Sequence, residues 1–196
     1  MTFNNDDQFS KHKDILLKPY WTKRSFEGRF VIVGSELLQK KHGIDIILQS
    51  EKDKTDVKVD TKHVRGKYEN FYLEEMSCPS LGTLGWILKE EGWPDWIIYC
   101  FWEGCSKCYK SCMVCTKNLF PIDVYAMKFL ELREWFKENK DIYPLHSNES
   151  TINKTNGRLV PVASLEQSIT CKRIVVGDFE QGYEFRETES GQLSIV

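Results

Sequence analysis

An α/β (α+β) domain with a mixed central sheet flanked by helices is the fold this sequence predicts. Three observations predict it. Residues 44–49 and 56–62 read as neighbouring strands. Residues 95–102 are apolar on both faces, as a strand in the middle of a sheet must be. Segments with helical spacing, 7–20 and 130–139, stand at either end of this strand-rich stretch.

The elements follow in order. Asp7 to Tyr20 reads as a helix, capped by Asp6 or Asp7 and stopped at Pro19, with Phe9, Leu16 and Tyr20 packing on the sheet. Arg29 to Val33 reads as a short strand ended by Gly34. Ser35 to His42 reads as a short helix, with Ser35 as its cap and Gly43 as its end. A polar turn, 50–55, joins the strands 44–49 and 56–62, and a third strand runs from Asn70 to Met76. Residues 82–92 read as a short helix carrying Leu84, Ile87 and Leu88. Strands 95–102 and 122–129 form a hairpin, and the helix 130–139 follows. Residues 141–156 are a polar connection rich in Ser, Asn and Thr. A strand from Arg158 to Val162, a short helix capped by Ser164 and a last apolar strand, Lys172 to Val176, complete the domain. Residues 178–196 read as an acidic, solvated tail. The whole chain, 1–196, is expected to form one domain.

The residues that carry chemistry lie on the paired strands. Asp45 interrupts the apolar run from Ile44 to Leu48, and a buried carboxylate there needs a cation or hydrogen bonds to offset its desolvation. Asp60 and Lys62 are two apart on the next strand and share a face, while Val57 and Val59 point the other way, into a core. Two carboxylates and an ammonium on neighbouring strands make a divalent-metal site with a lysine beside it. On the third strand Tyr72 and Glu74 share one face, and Phe71, Leu73 and Glu75 the other.

Gly43-Ile44-Asp45 followed by Asp60-Thr61-Lys62 resembles the PD-(D/E)XK nuclease superfamily, in which an Asp on one strand precedes Asp/Glu-x-Lys on the next. The resemblance extends from about Phe9 to about Phe136. It takes in Glu36-x-x-Gln39, Phe71-Tyr72-Leu73-Glu74, and Gly85-Trp86 leading into Asp95-Trp96-Ile97-Ile98-Tyr99. Small phage and bacterial proteins carry this series of segments. The resemblance implies a restriction-endonuclease-like fold and a Mg²⁺- or Mn²⁺-dependent nuclease, endo- or exonucleolytic. Asp45 and Asp60 would hold the metal with the Thr61 carbonyl, and Lys62 would orient or deprotonate the attacking water. Glu36 and Glu74 join this set as further acidic residues. For Glu36 the competing reading is helix capping and surface solvation; Asp14, on the first helix, is read as solvated.

Cys105, Cys108, Cys112 and Cys115 place four thiols in eleven residues within the loop 103–118. Paired CxxC half-sites suit a tetrahedral zinc ion, and an iron–sulfur cluster is the rival. Lys107, Tyr109 and Lys110 decorate the same loop and are candidates for touching a phosphate backbone and stacking on a base. Cys78, Cys100 and Cys171 read as buried apolar residues.

Composition sets outer bounds. With 41% hydrophobic residues, including six Trp, eight Tyr and eleven Phe, the chain can build a sizeable core. Its net charge of −2 argues against general polyanion binding, so any nucleic-acid surface must be a local basic patch. The first ten residues lack an apolar signal region, and no apolar run approaches the ~20 residues of a membrane span. A cytoplasmic protein with reduced thiols is expected. No P-loop, Rossmann glycine pattern or Ser-His-Asp context is present. The expected partner is nucleic acid, DNA in the first instance, with a homodimer possible. The alternative is a non-catalytic nucleic-acid- or protein-binding module that keeps the fold and the zinc knuckle.

Overall fold

The computed structural model describes residues 29–33, 42–50, 56–66, 68–102, 121–148, 154–175, 185–187 and 193–195. Twelve strands form two sheets among these residues. The larger sheet contains β1 (Arg29–Val33), β2 (Ile46–Ser50), β3 (Asp56–Arg65), β6 (Trp96–Trp102), β7 (Pro121–Lys128), β10 (Cys171–Val175), β12 (Leu193–Ile195) and β11 (Phe185–Glu187), in that spatial order. The smaller sheet has the order β5 (Thr83–Leu84), β4 (Asn70–Cys78), β9 (Thr155–Pro161) and β8 (Leu145–Asn148). Two α-helices are described, α1 (Phe129–Asn139) and α2 (Val162–Ser168).

The larger sheet is mixed, as expected. β3 pairs with β6 in parallel and with β2 antiparallel. Parallel neighbours need a long crossover. Here the crossover is not a helix: it runs through β4 and β5 of the second sheet. That route lays β4 across the face of β6. Phe71 and Leu73 of β4 are fully buried against Ile97, Tyr99 and Phe101 of β6 and Tyr125 and Met127 of β7. Aromatic rings knit this layer, with Phe71 meeting Tyr99 at 4.9 Å and Tyr125 at 5.1 Å, both edge-on. The Tyr72 N–H donates to Tyr99 Oη at 3.2 Å, a polar tie between the sheets. Leu132 and Phe136 of α1, four apart, close the same core together with Phe129.

The sequence expectations need four corrections. Residues 82–92 are not a helix. Gly82 and Gly92 have positive φ, and the Gly85 N–H bonds the Glu75 carbonyl, so β5 and a single turn replace it. The polar connection 141–156 contains β8 and the first residues of β9, because edge pairing on β9 satisfies backbone that local propensity leaves free. The acidic tail is partly paired: β12 runs parallel to β10 at Ile174–Leu193 and antiparallel to β11. Finally, both faces of β3 are covered. Val59 is buried on its face, as expected, but Asp60 and Lys62 are not on an open face: they lie beside Ile97 and Tyr99, on the aromatic-core side. Among the described residues no helix is long and apolar enough to cross a membrane.

Candidate active site

The chain reaches the site through a turn. Gly43 has φ +62°, a conformation that favours glycine, and the next residues enter β2. The Asp45 N–H donates to the Val59 carbonyl at 3.0 Å, one residue off the Ile46–Val59 register, so Asp45 and Ile46 both face Val59 as at a β-bulge, and the Asp45 carboxyl comes up against that of Asp60. Oδ2 of Asp45 accepts two hydrogen bonds from Thr61, from the backbone N–H at 2.8 Å and from the hydroxyl at 2.7 Å. These bonds fix the carboxylate beside its neighbour strand.

Asp60 is 3% exposed. Its two oxygens receive the Lys62 amine at 2.9 and 2.7 Å. Burial pushes the Asp60 carboxyl up to about 7, against the pull of Lys62 and with the adjoining Asp45 carboxyl adding to the rise. Burial works against the charge on Lys62, but Asp60, Asp45 and Glu74 together hold its pKa above the ordinary lysine value. The amine also stands 5.2 Å from the centre of the Trp86 ring.

Glu74 arrives from the second sheet. It shares its face of β4 with Tyr72, as the alternation predicts, while Phe71 and Leu73 go to the core. Burial raises its pKa; Lys62, Lys89 and a hydrogen bond from the Trp86 backbone oppose that rise. Its placement depends on Gly85, where a Cβ would lie 2.0 Å from the Glu74 carbonyl oxygen and 2.9 Å from its Cγ. Glu75, next along, turns away and bonds Lys140 at 2.7 Å and Arg158 at 2.9 Å, so it is enclosed rather than external.

Asp45, Asp60, Lys62 and Glu74 open onto one cleft of about 480 Å³, whose walls include Tyr72, Trp86, Lys89 and Trp93. Among the described residues no group of three His, Cys, Asp or Glu side chains is arranged to hold a metal. The donor set present is the two apposed carboxyls of Asp45 and Asp60 and the carbonyl of Thr61.

No family model matches the chain, and no curated protein matches it. Among solved structures it is similar to the crystal structure of the restriction endonuclease BglI bound to its DNA recognition sequence. The TM-score is 0.34 and the identity 11%; the likeness covers 76% of this chain and 66% of that one, just under two thirds of its length. The geometry of the cleft itself carries the functional reading.

Of the residues the sequence singled out, Asp45, Asp60, Thr61, Lys62 and Glu74 come together. Glu36, Cys105, Cys108, Cys112, Cys115, Lys107, Tyr109 and Lys110 lie outside the described residues, as does Asp14. His63 takes the opposite face of β3 from Lys62 and accepts a hydrogen bond from the Trp102 indole at 3.1 Å. Sequence reasoning missed Lys89 and Trp93 and gave Trp86 no role. The signal was there, two Trp and a Lys in an eight-residue span between Gly85 and Pro94, but a helix assignment concealed it.

Proposed function

We propose that this chain is a divalent-metal-dependent nuclease that hydrolyses phosphodiester bonds, with DNA as the first substrate to test. The observation that supports the reading is the apposition of Asp45 and Asp60, one of them buried, with Lys62 against them at the edge of a cleft. Such a pair carries more negative charge than its surroundings solvate, and a cation is the natural counterpart. The donor set suits Mg²⁺ or Mn²⁺, which take oxygen ligands. Asp45 and Asp60 would hold the ion, with the Thr61 carbonyl. When bound, it would lower the pKa of a water and neutralise charge on the phosphoryl group.

The chain's own residues do the rest. Lys62 offers three N–H donors, and once a cation shares Asp60 with it, the amine can orient the attacking water and face the developing negative charge. Glu74 and the Trp86 ring hold that amine at the cleft wall. Lys89 adds a second positive charge for the phosphate backbone.

Phosphodiester cleavage in Mg²⁺ or Mn²⁺ tests this. It should vanish in EDTA and in Asp60→Ala, while circular dichroism shows the fold retained. Undiminished cleavage in either case overturns the reading.

A second reading has its own observation. Lys62 already engages both oxygens of Asp60, as a purely structural ion pair would, and no third acidic ligand is among the described residues. On that reading the chain is a non-catalytic binding module. The two part on whether a divalent ion binds. We also propose zinc for Cys105, Cys108, Cys112 and Cys115; metal analysis of the purified protein decides between zinc and an iron–sulfur cluster.

A further inference from the structure

Trp93 is built as a platform. It is 41% exposed, yet it is not loose. Its indole N–H donates to the Lys89 carbonyl at 2.9 Å. Its ring lies over the Arg133 guanidinium, with 4.4 Å between Cζ and the ring centre. Arg133 is 5% exposed and its Nε has no hydrogen-bond partner. A buried guanidinium with an unsatisfied nitrogen is an expensive support for an exposed ring. Core packing does not require it, since α1 already presents Phe129, Leu132 and Phe136 to the core. What the arrangement achieves is an aromatic surface held rigid at the cleft mouth before anything binds, which lowers the entropy lost on binding.

Trp86 stands in the same cleft with Lys62 against its ring. Tyr72 adds a third ring, pinned by its hydroxyl to the Thr155 carbonyl at 3.0 Å. A cleft of about 480 Å³ is the size that takes one small ligand, such as a single nucleotide. Three fixed rings beside two ammonium groups match the chemistry of single-strand recognition, in which bases stack on aromatic faces and cations follow the backbone.

We propose that Trp93 and Trp86 form a stacking clamp that admits an unpaired nucleotide to the carboxylates, so that single strands and frayed ends are taken in preference to duplex. The catalytic part of this rests on the nuclease reading; the binding part does not.

The test is equilibrium binding in EDTA, in an Asp60→Asn background that removes turnover. Labelled oligothymidylate, oligouridylate and a blunt DNA duplex are compared by fluorescence anisotropy, with intrinsic tryptophan quenching as a second readout. Either strand should bind at least about 5-fold more tightly than the duplex and quench tryptophan, as stacking on a single ring predicts. The two oligonucleotides distinguish DNA from RNA as the source of the nucleotide. Trp93→Leu keeps apolar bulk but removes the ring, and should weaken strand binding about 5- to 100-fold, whereas Trp93→Phe should recover most of it. Duplex bound as tightly as strand, or strand binding indifferent to Trp93→Leu, overturns the proposal. Metal-dependent duplex cleavage by the wild type alongside that result would leave the nuclease reading standing. Trp93-dependent strand binding with no cleavage of any substrate would leave the clamp and remove the nuclease.

Discussion

Replacing Asp60 by Asn should stabilise the metal-free protein in neutral and mildly alkaline solution. The carboxyl titrates near 3.8 when unperturbed and at about 7 in the fold. A raised folded pKa means that the native state binds its proton more tightly than the unfolded chain. Stability is therefore full below the unfolded value and falls as pH rises through the folded one. The window runs from about pH 4 to about pH 7, and the curve is flat above it as far as this group is concerned. The interval of about three pKa units corresponds to about 4 kcal/mol at ~1.4 kcal/mol each, an upper estimate because Lys62 and Asp45 rearrange with the titration. Asn mimics the protonated acid, so Asp60→Asn should lose the slope and gain part of that energy at pH 8. Urea unfolding in EDTA across pH 4–8 measures it. Saturating Mn²⁺, at about 100-fold over its Kd, should restore ~2.7 kcal/mol to the wild type and nothing to the variant. A variant that is less stable than wild type at pH 8 and keeps the same pH slope would refute the reasoning, and would mark the Asp60–Lys62 pair as a net structural asset.

Other perturbations follow from the same geometry. Gly85→Ala should destabilise by about 1–3 kcal/mol, because its Cβ meets the Glu74 carbonyl with no flexible group to yield, and should lower cleavage by displacing Glu74; thermal melts and rate assays check both. Glu75→Gln should cost about 1–2 kcal/mol in urea titrations by leaving Lys140 and Arg158 short of a counter-charge, with metal-dependent cleavage intact. Phe71→Ala should cost about 3–5 kcal/mol, since Phe71 is fully buried where the two sheets meet.

The polar heart of the site was legible because it follows the simplest structural rule. Side chains alternate along a strand, so Asp60 and Lys62 had to share a face, and Glu74 had to leave Phe71 and Leu73 behind. Their depth was not legible. Val57 and Val59 marked one face of β3 as apolar, but nothing local revealed that the other face, beside Ile97 and Tyr99, is also covered and leaves Asp60 only 3% exposed. The cleft wall failed for a different reason. Leu84, Ile87 and Leu88 have helical spacing, yet Gly82 and Gly92 take positive φ that a helix does not offer, and Gly85 lies against the Glu74 backbone where a Cβ does not fit. The placement of Trp86 and Trp93 depends on those glycines. β8 and β12 were illegible from composition because their pairing comes from neighbouring strands rather than from their own short sequences, Leu145-His146-Ser147-Asn148 and Leu193-Ser194-Ile195.

The central claim is that Asp45 and Asp60 together form a site for a divalent cation. Titration calorimetry with Mn²⁺ on the wild type and on Asp45→Ala tests it most directly. Saturable binding to the wild type that disappears in Asp45→Ala, with the fold unchanged, is the predicted result. No binding to the wild type, or equal binding to both proteins, would contradict it.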